Sequence, residues 1–481
     1  MSTDTSPPDP ERAARPVGRP APGRLVLLAV VGAEFMLQLD GTIVNVALPG
    51  AQSDLGLGVT GGSWVLNGFF LAFGGLLLLA GRLGDVLGHR RLFLFGVGLV
   101  GAASLLAGLA PNFPVLLAGR VLQGAGAAIA GPTGLALLTI EFDGARRQRA
   151  FGLYAVITGL GAVAGMILGA VLTWIGDWRW TLLVNVPVAL AIVVVGNRVL
   201  TRGGPPAAAR RSLGLPSSTL VTGALVALVY GLVRAAEEGW GDTGTLISLA
   251  AATALTGALL YVDPRSPEPL LPLRVFTSAE RVGGFLGLMT LAAVLTGFLF
   301  YLIQYLDTAL GFGPLETGLA ILPFGLGMLL TVQLLNTFLV GISRRLRAVT
   351  GLAVVLAATL WLTRLDGQSG YATDVLPQIV LLGAGVGMAI VPVNLTILST
   401  TRPEDTGITA GILQAALTIG GTVGLAVLLI PFTANGADPS RTVSGMFGWA
   451  AGFAALSLLL VTAFWFGPQL RRTQGDFVRP S

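Results

Sequence analysis

Cysteine and lysine are absent from the 481 residues, and histidine occurs once, at His89. Without cysteine there are no disulfides, thiolate metal ligands or cysteine nucleophiles, and a single imidazole rules out histidine clusters. No metal site is expected, and an intramembrane enzyme is the least expected function, because few nucleophile and base pairs remain. Charge is scarce as well, at 11% of residues against roughly 25% in soluble domains. Apolar length takes its place, with 53% of the chain hydrophobic. Runs of about 20 apolar residues, each able to cross a bilayer as a helix, recur from end to end. The chain reads as an all-α polytopic membrane protein.

Fourteen spans are expected, near 25–48, 60–80, 91–109, 113–138, 150–173, 180–199, 217–235, 245–262, 282–305, 317–340, 348–365, 375–399, 407–432 and 443–467. Two stretches rich in Gly, Pro and Arg divide them as six, two and six. The expected organisation is a disordered tail at 1–24, a six-helix bundle at 25–200, a linker with two additional spans at 201–280, a second six-helix bundle at 281–467 and a tail at 468–481. The first span is too long and too acidic for a cleaved signal and should remain as an anchor. The 29 basic residues are all Arg. Apart from Arg120 inside a span and Arg179, Arg234, Arg364 and Arg441, they fall in the tails and the even-numbered connections, which places both termini in the cytoplasm. The pI of 10.2 is therefore a topology signal and does not point to nucleic acid.

Three charges break this pattern. Glu34 and Asp40 lie inside the first span, where a carboxylate costs roughly 2.5 to 3.5 kcal/mol, and such acids mark proton or substrate sites more often than structural bonds. Counting inward from the outer end at about 1.5 Å per residue puts Asp40 about 12 Å deep, and Arg120 of the fourth span lies at nearly the same depth. A buried guanidinium needs a partner, and Asp40, or more deeply Glu34, can supply it. The polar residues Asn45, Asn67, Gln123, Gln304, Asn394 and Gln414 are candidates, with Glu34, to line a substrate cavity. Gly161, Gly165 and Gly169 recur every four residues in the fifth span, which permits close packing of a neighbouring helix. Between the second and third spans, Gly81, Gly84 and Gly88 permit a tight turn, beside Arg82, Asp85, Arg90 and Arg91. A weaker echo of that loop, without its Asp, occurs at 341–347. Trp178-Arg179-Trp180 suggests an aromatic belt at the start of the sixth span, and Asn185-Val186-Pro187 a kink.

These residues together resemble the major facilitator superfamily, and most closely its fourteen-span drug:proton antiporters. The resemblance rests on the 81–91 loop, on Leu39 to Pro49, on Gly119-Arg120-Val121-Leu122-Gln123-Gly124, on the entry to span six, and on Gly313-Pro314 with Gly318 and Pro323; it covers about 25–467. It implies the major facilitator fold, with two six-helix bundles rocking about a central cavity, driven by the proton gradient without a cofactor. Asp40, Glu34 and Arg120 would serve proton coupling. Asp85 would dock near Thr406 and Gly407, and the loop arginines would pair with Glu141 or Asp143. Departures from the pattern are Met166 and Ala170 in span five, Leu417 and Thr418 in span thirteen, and Phe69 in span two. The expected function is export of a neutral or monocationic amphipathic compound across a bacterial inner membrane by a monomer. The alternatives are a dedicated exporter of one metabolite, antibiotic or lipid, and a non-transporting membrane sensor or scaffold.

Overall fold

The computed structural model describes residues 22–200, 215–266, 269, 273–337, 341–365, 369–402, 406–434 and 439–477, and at some helical positions, Arg82 and Asp85 among them, the backbone alone. Most of the tail at 1–24 and the linker residues 201–214 lie outside the described residues. The first bundle comprises α1 (Pro22–Leu55), α2 (Val59–Leu87), α3 (His89–Gly108), α4 (Phe113–Glu141), α5 (Gly144–Ile175), and the consecutive α6 (Trp178–Leu183) and α7 (Asn185–Val199). A hairpin of α8 (Leu215–Glu238) and α9 (Thr243–Val262) follows. The second bundle comprises α10 (Ala279–Thr308), α11 (Pro314–Thr337), α12 (Arg344–Leu362), α13 (Leu376–Ser399), α14 (Thr406–Ala434) and α15 (Pro439–Phe477). No strand occurs among the described residues, as expected for a chain whose backbone groups must be satisfied without water. Among the described residues, thirteen helices are long and apolar enough to cross a membrane. The fourteenth expected span corresponds to α5, whose described apolar stretch is Ala164–Ile175.

Local chemistry sets the ends of these helices. The Asn112 side chain accepts from the Val115 amide to cap α4, Asp242 caps α9 through the Thr245 amide, and Ser343 caps α12 through the Leu346 amide. The tight loop expected over 81–91 is instead almost entirely helical. Leu83, Val86 and Leu87 carry α2 onward to Gly88, which turns the chain alone at φ +94°, and α3 begins at His89. The break in span six falls at Val184, just ahead of the Asn185-Val186-Pro187 run.

The two bundles repeat each other's packing. Gly124 of α4 lies against the Phe69 carbonyl of α2 and Gly126 against α3 at Gly96; Gly383 of α13 lies against the Phe324 carbonyl of α11 and Gly385 against α12 at Gly351. A Cβ at Gly124 or Gly383 would fall 2.2 or 2.1 Å from those oxygens, so only glycine permits the approach. Gly161, Gly165 and Gly169 of α5 likewise face the α1 carbonyls of Phe35, Leu39 and Ile43.

The end where α1 starts is here termed proximal, and the opposite end distal. In the distal half, Ile43, Leu48 and Leu66 of the first bundle share one apolar core with Phe298, Leu302 and Ile321 of the second. The proximal half of the first bundle closes on a separate core around Val30, Phe93, Leu138 and Ile192. Gln304 of α10 donates to Gln52 of α1 at 2.6 Å across the distal join, where Gly318 of α11 also meets Ala170 of α5. On one flank α8 spans the seam: Val229, Leu232 and Val233 pack with Leu71 of α2 and with Ala426 and Leu429 of α14.

Candidate functional site: two acids on the first helix

Asp40 and Glu34 are six residues apart on α1, about 9 Å along the axis and on different faces. Asp40 turns into the first bundle. Its Oδ2 accepts from Arg120 Nη1 at 2.9 Å, and its Oδ1 accepts from Gln123 Nε2 at 3.0 Å and Asn185 Nδ2 at 2.6 Å. Arg120 also donates to Gln123 Oε1 at 3.0 Å and, through Nε, to the Val65 carbonyl at 3.2 Å. The guanidinium lies over the Phe69 ring, 4.5 Å from its centroid, and Gln123 Nε2 also donates to the Ser104 hydroxyl at 2.7 Å. Asp40, Arg120, Gln123, Asn185 and Ser104 are all buried to within 1% exposure, so the ion pair is sealed from water and lipid. Four helices build it: α1 gives the acid, α4 the cation and Gln123, α7 Asn185, and α3 Ser104.

Glu34 turns toward α5. Its Oε2 accepts from the Tyr154 hydroxyl at 2.6 Å, and its Oε1 from Gln38 Nε2 at 2.8 Å and Thr158 Oγ1 at 3.1 Å. All three donors are neutral, and among the described residues no ion pair reaches Glu34. Its cradle is more open than that of Asp40, since Gln38, Tyr154 and Thr158 are each half-buried. The second bundle has no counterpart to either acid: α10 carries no charged residue between Arg281 and Asp307, and α13 carries none at all. Four residues before Gly383, where Arg120 stands relative to Gly124, is the buried Ile379.

The remaining polar candidates do not form one cluster. Gln123 belongs to the Asp40 network, and Gln304 belongs to the distal join instead of an open cavity. Asn45 donates to the Gly41 and Thr42 carbonyls of its own helix. Asn67 is fully buried in α2 with neither amide atom hydrogen-bonded, Asn394 Oδ1 is unbonded, and Gln414 is half-buried on α14. Of the loop residues, Arg90 donates to the Asn197 carbonyl at 2.9 Å and its Oδ1 at 2.7 Å, pinning α3 to the end of α7, while Arg91 is exposed and Glu141 half-buried. The side chains of Arg82 and Asp85, and that of Thr406 at the expected docking point on the first turn of α14, lie outside what the structure describes. No role for Tyr154, Thr158, Gln38, Ser104 or Gln52 was legible before their contacts were seen. A polar pair four residues apart at the depth of Glu34, as Tyr154 and Thr158 are, was the available signal for the first two.

Residues 30–425 match the family model described as Major Facilitator Superfamily. The chain is 38% identical over 91% of its length to the puromycin resistance protein of Streptomyces alboniger, covering 89% of that protein. It is 32% identical to the cephamycin export protein of Amycolatopsis lactamdurans, with 96% of each chain covered. The crystal structure of the POT family transporter PepTSo superposes with a TM-score of 0.69 over 94% of this chain and 99% of that one, at 14% identity, a likeness of fold alone.

Proposed function

Because the chain belongs to the Major Facilitator Superfamily, we propose that it is a proton-driven efflux transporter of amphipathic small molecules, working by alternating access in a bacterial plasma membrane. Resistance and export relatives support the efflux reading. In this reading the proximal side is cytoplasmic, since Arg24, Arg90, Arg91, Arg146, Arg147, Arg149, Arg344 and Arg345 gather there. The distal join is then the outer seal, and the molecule faces inward. It works as a monomer and needs no cofactor, the proton gradient being its energy source.

The observation that carries the coupling is the sealed Asp40–Arg120 pair. Protonating Asp40 removes the charge that holds Arg120, so the α1–α4 contact weakens when a proton binds and tightens when it leaves. A proton equilibrium is thereby tied to a helix rearrangement, as alternating access requires. The test is efflux of a panel of antibiotics and dyes in cells stripped of their own exporters, paired with uptake into inverted vesicles under an imposed pH gradient. Lack of any gradient-dependent movement across the panel would refute the reading. Relatives named for single compounds favour a narrower version, a dedicated exporter of one antibiotic or metabolite, for which one member of the panel would move and the rest would not.

A further inference from the structure

Asn67 of α2 has zero exposure, and neither its amide nitrogen nor its amide oxygen has a hydrogen-bond partner among the described residues. A buried amide in this condition destabilises the state that encloses it, and a native structure keeps one only for a reason. Neighbouring polar side chains avoid the problem. Asn45 bonds back to the Gly41 and Thr42 carbonyls of its own helix, Ser63 to that of Thr60, and Thr418 and Thr422 of α14 to those of Gln414 and Thr418. Asn67 makes no such bond.

Its position supplies the reason. Trp64, Leu71 and Gly74, three residues before it and four and seven after, share its face of α2. Trp64 lies against Tyr230 of α8 with ring centroids 6.3 Å apart, Leu71 packs with Val229 of α8 and with Ala426 and Leu429 of α14, and Gly74 faces the Thr418 side chain of α14. Asn67 therefore sits in the seam where α2 and α8 meet α14 of the second bundle. Thr222 of α8 donates to the Gly75 carbonyl of α2 at 2.8 Å, which ties those two helices together. The plane along which the bundles can separate is then the one between this pair and α14. Asn67 is eight residues, about 12 Å, from the distal end of α2, in the half that separates when the outer seal opens.

We propose that Asn67 sets the rate of the access change by weakening the closed outer seal: its amide is without partners while α2 and α14 are in contact and is hydrated once they part. This rests on the alternating-access reading above and adds a rate-setting residue that carries no charge and lies away from the acids of α1. The apolar contacts of Leu71, Val229, Ala426 and Leu429 hold the seam shut, and the amide offsets part of their effect, so that the seal closes without becoming permanent.

The test replaces the amide by apolar groups, Asn67→Leu and the smaller Asn67→Val, the second covering the case in which Leu does not fit. Gln304→Cys is the reporter, since the chain has no other cysteine and position 304 is buried in the distal join, where a water-soluble thiol reagent reaches it in detergent only when the join opens. Both variants should melt at a higher temperature than the native seam, and labelling at position 304 should slow by at least about tenfold. The two changes must occur together. Slower labelling without the rise in melting temperature, the rise without slower labelling, or neither would overturn the proposal, and a fall in melting temperature for both variants would do so by showing that the amide is satisfied by bound water. A chain never labelled at position 304 would overturn both the proposal and alternating access. Paired changes in a protein that moves no member of the antibiotic and dye panel would uphold the role of Asn67 and refute the efflux reading instead.

Discussion

Removing one member of the Asp40–Arg120 pair should be more damaging than removing both. In Asp40→Asn the guanidinium loses its 2.9 Å ionic partner at zero exposure, while the Gln123 Oε1 and Val65 carbonyl contacts and the Phe69 ring remain. Stranding one buried charge of a pair costs about 3 to 5 kcal/mol. The surviving contacts place Asp40→Asn near the lower figure, about 3 kcal/mol, or roughly a hundredfold in the folding equilibrium. Arg120→Met strands Asp40 instead, but Gln123 and Asn185 still donate to its Oδ1. In the double variant neither charge is stranded, and Met fills part of the guanidinium's volume against Phe69. The double should therefore be more stable than either single variant, with a coupling energy of about 3 kcal/mol or more. Graded unfolding in mixed micelles measures all four corners of this cycle, and gradient-driven transport is assayed on the same preparations. All three variants should fail to transport uphill, the double included. Additive losses of stability would show that the two groups are not coupled, and uphill transport by the double would show that the pair is structural.

Two further outcomes follow from the same contacts. Linking Gln52→Cys to Gln304→Cys should arrest transport by fixing the distal join; the native chain has no cysteine to interfere, and a short bis-thiosulfonate linker is needed because two hydrogen-bonded glutamines hold their Cβ atoms too far apart for a direct disulfide. Linked protein that transports at the unlinked rate would show that this join need not open. In the α8–α9 turn, Arg234 and the Thr245 amide hold the Asp242 carboxyl down at about 2, so its contribution to stability is present above the ordinary carboxylate range and is lost only as pH falls toward that value. The melting-temperature difference between native protein and Asp242→Asn should thus stay constant from about pH 8 to pH 5, and a difference that shrinks across that window would contradict the assignment.

The Asp40–Arg120 pairing was legible from sequence because two facts sufficed: charges stand out in an apolar run, and a fixed rise per residue sets them at one depth. Glu34 stood out for the same reason, but its surroundings did not. Depth is a property of one helix, whereas the partners of Glu34 depend on the rotation of α5, which its glycine stripe fixes against Phe35, Leu39 and Ile43. Once that stripe is seated, Tyr154 and Thr158 reach the carboxylate. Gln304 shows the opposite case, a polar residue at a plausible depth whose side chain joins the two bundles at Gln52. The 81–91 segment shows that glycine spacing overstates a loop, since one residue, Gly88, makes the whole turn. The charge asymmetry could be read directly and constrains the mechanism most. With the interior of α10 and α13 uncharged, the second bundle contributes shape and polarity but no described charge to the interior, so in the proposed efflux reading a coupling proton falls to the acids of α1. The two acids of that helix divide the work by their partners. Asp40 has an arginine and is closed off, so it can report a proton but not receive an organic cation. Glu34, itself buried at 6% exposure, has only neutral donors among the described residues, in a half-buried cradle of Gln38, Tyr154 and Thr158.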